Sequence, residues 1–101
     1  MYKRIVEEFR NHPRDVHTVP TNSRPYMWFY VFVDKDKIYI EPGHHNFPKS
    51  NVKKRLLSEK ECNDILAIYH RRLAGERVYD EAKDCTHSQV YWYGIFSDMN
   101  L

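Results

Sequence analysis

Tyr26-Met27-Trp28-Phe29-Tyr30-Val31-Phe32-Val33 runs into Asp34-Lys35-Asp36-Lys37, and Ile38-Tyr39-Ile40-Glu41 follows. β-branched and aromatic side chains fit a pleated, half-buried surface, so both runs read as strands. The polar quartet between them reads as a four-residue turn. The chain therefore returns on itself as an antiparallel hairpin over residues 26–42. With Val33 opposite Ile38, alternation sends Met27, Phe29, Val31, Val33, Ile38 and Ile40 to one face. The other face collects Tyr26, Trp28, Tyr30, Phe32 and Tyr39, with Glu41. Neither resembles a solvent face. A ring can bury about 150–250 Å², so the five rings predict a cover, either a helix of this chain or a second subunit.

Helical signals flank the hairpin. Ile5, Val6 and Phe9 predict a short amphipathic helix that stops near His12-Pro13. Val16 to Pro25, with Pro20, Thr21, Asn22 and Ser23, reads as an irregular connection or an edge strand. Gly43 to Ser50 reads as a loop. Ser58-Glu59-Lys60-Glu61 has the capping-box pattern, in which serine and glutamate side chains satisfy free backbone donors at a helix start. The helix it opens extends to about Leu73, with Cys62, Ile65, Leu66, Tyr69 and Leu73 on one stripe and Gly75 as the stop. Val78 to Asp84 reads as one or two helical turns. Thr86-His87-Ser88-Gln89 is a second capping-box pattern, opening a segment through Met99. Val90-Tyr91-Trp92-Tyr93 also suits a buried strand, but Trp92, Ile95, Phe96 and Met99 keep helical spacing. As a helix it is apolar nearly all round, so it must be covered on two sides.

The expected fold class is α+β. A small antiparallel sheet, centred on the hairpin, packs with an N-terminal helix and a C-terminal helical pair in a single domain, 1–101. At 101 residues there is room for one core. Surplus apolar surface on the hairpin and the last helix predicts self-association, most simply a homodimer. Two cysteines, Cys62 and Cys85, make no disulfide framework. No stretch approaches the roughly 20 apolar residues of a membrane helix. These two features set the cytoplasm as the expected compartment and exclude a membrane partner.

A net charge of +2 does not impose nucleic-acid binding, so any such role needs a local patch. Lys49, Lys53, Lys54 and Arg55 form one. With Tyr26, Trp28, Tyr30, Phe32 and Tyr39 they could hold a strand, the rings stacking bases and the cations meeting phosphates. The five rings equally suit a protein-partner interface. Leu57 to Phe96 resembles the helix-turn-helix of resolvase- and transposase-type DNA-binding domains. The resemblance rests on Leu57-Ser58-Glu59-Lys60-Glu61, His70-Arg71-Arg72 before Gly75-Glu76, Glu81-Ala82, and Thr86-His87-Ser88-Gln89-Val90-Tyr91. It implies base contacts from His87, Ser88, Gln89 and Tyr91, with Arg71, Arg72 and Arg77 on phosphates. The same residues also suit an ordinary two-helix packing unit.

Cys85 and His87 with Cys62 and His70 fit no compact zinc signature, so no metal is expected. No glycine-rich phosphate loop or nucleophile elbow occurs. Asp34 and Asp36 are explained by the turn, and Asp80, Glu81 and Asp84 by a charged helix face. His44, His45, Cys85 and His87 gather no orienting group. No catalytic residue and no cofactor is expected. The reading is a small non-catalytic DNA- or RNA-binding accessory protein, with a protein-interaction module or inhibitor as the alternative.

Overall fold

A computed structural model of the chain describes residues 1–21 and 24–101. Asn22 and Ser23, part of the expected connection from Val16 to Pro25, lie outside the described residues. The hairpin stands at the centre of the fold. Strand β2 (Trp28–Asp34) pairs antiparallel with β3 (Lys37–Pro42), and Val33 faces Ile38 as the alternation requires. Asp34 also pairs with Lys37, so the loop is two residues rather than four. Lys35 and Asp36 take positive φ of 50° and 65°, the backbone of a tight primed turn.

Two further strands widen the sheet. β1 (Arg14–His17) pairs with β2, and β4 (Arg55–Leu57) pairs with β3, giving four antiparallel strands in the order β1-β2-β3-β4. β1 realises the edge-strand option for the connection, but it begins two residues earlier. The expected basic run ends inside β4.

The helices are α1 (Tyr2–Asn11), α2 (Glu59–Leu73), α3 (Tyr79–Cys85) and α4 (Gln89–Asp98). The structure is therefore α+β, with helices before and after the sheet. α1 lays Tyr2, Ile5, Val6 and Phe9 against β2 and β3. The Tyr2 hydroxyl ties three elements together. It donates to the Leu57 carbonyl at 2.7 Å and accepts from the Ile38 N–H at 3.0 Å. Without that oxygen a buried N–H would lose its partner, a loss of about 1–3 kcal/mol.

The segment through Met99 is a helix, not a strand. Trp92, Tyr93, Gly94, Ile95 and Phe96 are all buried, because α4 is sandwiched between the sheet and α2. Most of its apolar surface is taken up within the chain, while Val90 stays 46% exposed. Gly94 permits the close approach: a Cβ there would sit 2.7 Å from the His17 carbonyl oxygen and 3.0 Å from the Phe29 ring.

Several boundary readings change. α2 starts after Ser58, but the serine side chain makes no capping bond. α4 starts after Ser88 rather than Thr86, whose hydroxyl instead accepts the Ser88 N–H at 3.0 Å. On α2 the buried stripe is Cys62, Ile65, Ile68 and Tyr69, whereas Leu73 is 64% exposed. The inward position at the end of the stripe belongs to Arg72. Its guanidinium lies 4.6 Å from the Tyr93 ring centroid and donates to the Val19 carbonyl at 2.7 Å. No helix among the described residues is long and apolar enough to cross a membrane.

Candidate functional site

Period-two alternation splits the sheet cleanly. Val16, Phe29, Val31, Ile38, Ile40 and Leu57 point to the helices and are buried. His17, Trp28, Tyr30, Phe32, Tyr39 and Leu56 belong to the opposite face. No helix among the described residues covers that face. The option of a covering helix fails because α1 and α4 both pack on the side of Phe29 and Val31.

The rings of this face shelter one another in two groups, so that Tyr26 is exposed while His17, Trp28, Tyr30, Phe32 and Tyr39 are half-buried. His17, Tyr26 and Trp28 meet at centroid separations of 4.6–6.0 Å. Across β2 and β3, Phe32 stacks with Tyr39 at 5.8 Å, and Tyr30 lies 6.0 Å from Phe32. The Lys54 ammonium sits 5.2 Å from the Tyr39 centroid and 5.6 Å from that of Phe32, within cation–π range. Sequence reasoning grouped these rings correctly. It missed His17 and Leu56, which only the two short outer strands bring to the face.

The loop after β3 closes over part of this surface. The His44 ring stacks on Tyr30 with centroids 3.5 Å apart and planes 3° from parallel, and its Nε2–H donates to Glu41 at 2.5 Å. Asp15 holds the loop in place. Its carboxylate accepts the backbone N–H groups of His44, His45 and Asn46 at 2.7–2.9 Å, and the Asn46 amide at 3.1 Å. Partial burial works to raise the Asp15 pKa, but those donors outweigh it and hold the carboxyl below its usual range. A depressed pKa contributes stability above the unfolded value of about 3.9, and the contribution is lost as pH falls through the folded value. The amide resonances of His44, His45 and Asn46 should therefore shift together, with a midpoint below about 3.9. A midpoint at or above the unfolded value would remove Asp15 from this role.

The basic residues divide. Lys49 lies at the edge of the open face, 5.0 Å from the Phe47 centroid, beside Trp28. Lys53 and Lys54 are exposed on the approach to β4. Arg55 turns to the other side, donating to Ser88 Oγ at 3.2 Å and lying 5.7 Å from the Tyr91 centroid. Arg71 pairs with Glu81 and with Glu76, which leaves it little capacity for a phosphate. His87 is exposed, but Ser88 is buried, and Tyr91 packs edge-on against Phe29 at 5.1 Å. Arg72, Arg77, Gln89 and Tyr91 line one cavity on the helical side.

Burial raises the Cys62 thiol to about 11 and pushes Cys85 upward, so neither is an activated nucleophile. Among the described residues, no three His, Cys, Asp or Glu side chains gather as metal ligands. The fold and the site together define a class: an α+β protein whose antiparallel sheet carries helices on one face and a lysine-flanked array of rings on the other. No protein-family model, curated protein or solved structure matches the chain.

Proposed function

We propose that the protein is a small, non-catalytic accessory protein that binds single-stranded nucleic acid across the open face of its sheet. One observation carries this reading: the rings of Trp28, Tyr30, Phe32 and Tyr39 lie on a face without a helix, with the Lys54 ammonium over two of them. Every base has a π-face, and each stacked base contributes about 1–3 kcal/mol. Lys49, Lys53 and Lys54 supply phosphate contacts along the rim. A single strand fits better than a duplex because stacking needs bases outside a helix. Of the four readers implied by the helix-turn-helix resemblance, Ser88 is buried and Tyr91 is partly buried against Phe29, which turns the reading toward the sheet.

A labelled single-stranded oligonucleotide titrated at low salt tests the proposal. Binding should weaken as salt rises, with a log–log slope of about −2 for three phosphate contacts. Lys54→Gln should flatten the slope by about 0.7. No binding at low salt would end this reading.

A second reading rests on the row Asp15–Tyr30–Glu41, which places two acids across the face. These repel phosphate and suit a cationic protein surface. A protein partner, or a second copy paired as a homodimer, would then cover the rings. A monomeric mass in solution that persists at high protein concentration would remove the homodimer.

A further inference from the structure

We propose that the cavity beside the end of α2, α3 and the start of α4 is a second binding site, for a nucleoside phosphate. It has a volume of about 930 Å³ and is lined on its other side by residues 18–21, 24, 25 and 27. That size falls in the range of small-molecule sites, about 300–1,000 Å³. Segments 26–28 and 49–51 separate it from the open face, since Met27 and Ser50 line the cavity while Trp28 and Lys49 belong to the rings and their rim.

Three features define the ligand. The first is an apolar wall from Met27, Val78, Val90 and Tyr79, of which Tyr79 is 69% exposed, which suits a planar base. The second is a cationic rim. Arg72 is anchored by Val19 and Tyr93, and Arg77 has no carboxylate within 4 Å among the described residues. The acid of that rim, Glu76, already accepts from Arg71 at 3.3 Å. Guanidiniums suit phosphate oxygens, which can accept two parallel N–H bonds from one fork. The third is Gln89 Oε1, a buried acceptor without a partner among the described residues. A buried acceptor left unpaired is costly, and because Gln89 lines the cavity, rotation of its side chain would bring the amide oxygen to a donor from outside. An exocyclic amino group of adenine or cytosine is such a donor. A free mononucleotide and the phosphorylated end of a strand share this chemistry.

Calorimetric titration of the full chain with AMP tests the site, with adenosine as a second arm. The expected result is saturable one-to-one binding, with adenosine at least ten-fold weaker. Arg77→Ala and Gln89→Leu should each weaken AMP ten-fold or more, while Tyr39→Ala leaves it unchanged. Gln89→Leu should also leave melting unaltered or slightly raised, because it removes an unsatisfied acceptor. Absence of saturation by AMP, equal binding of adenosine, or indifference to both cavity variants would overturn the proposal. Competition between AMP and a 5′-phosphorylated oligonucleotide separates the sources: displacement assigns the strand end, and independence assigns the free nucleotide. Loss of oligonucleotide binding with AMP binding intact would count against the open-face reading alone.

Discussion

Trp92→Ala is expected to lower stability by about 3–5 kcal/mol, the range for deleting a large buried aromatic side chain. Trp92 is 0% exposed and sits where α1, α2 and α4 converge. Its ring lies 5.5 Å from Phe96 and 6.3 Å from Tyr2, and its Nε1–H donates to Glu61 at 3.0 Å. Truncation removes all of these contacts and leaves a cavity too enclosed to collapse. Against a total of about 5–15 kcal/mol, that is a large share of what holds the domain folded. The melting temperature should fall by about 12 °C or more, since 1 kcal/mol corresponds to about 4–8 °C at this size. A variant melting within a few degrees of wild type would show that α4 is not the centre of the core.

Removing two rings from the other face should have the opposite profile. Phe32→Ala with Tyr39→Ala is expected to weaken single-strand binding by about 2–6 kcal/mol, at least thirty-fold in Kd, if each ring holds one base. Stability should change far less, because a cross-strand aromatic pair contributes only about 0.2–1 kcal/mol. These side chains touch Lys54 and each other rather than the helices. Unchanged affinity in the folded double variant would move the binding surface elsewhere. A collapse of melting would instead show that the rings belong to the core.

What the sequence disclosed follows from where its signals are strong. The register of Val33 on Ile38 was legible because two alternating apolar runs flank one polar break. The length of that break was not, since Lys35-Asp36 adopts a conformation usually signalled by Asn-Gly. β1 escaped detection in part because Arg14 and Asp15 carry charge within a four-residue strand. β4 is three residues long and follows Lys53 and Lys54, so charge obscured its pairing with β3. The resemblance put Arg72 on phosphate, whereas the 3.6-residue period of α2 turns it inward onto Tyr93.

The candidate site was half legible. Alternation identified Trp28, Tyr30, Phe32 and Tyr39 as one face, but whether that face is covered depends on tertiary packing. α4 could have crossed either side of the sheet; Gly94, tight against His17 and Phe29, belongs to the side it took. His44 over Tyr30 was beyond reach, because the stacking depends on Asp15 gathering three backbone donors from a distant loop.

Trp92 is wholly enclosed and Trp28 lies on the open face, so the two indoles separate core from surface. Intrinsic tryptophan emission should be quenched as a single-stranded oligonucleotide saturates the protein, and Trp28→Phe should abolish that quenching while the strand still binds. Saturation without any change in wild-type emission, or the same quenching after Trp28→Phe, would contradict the claim that bases stack on the uncovered rings.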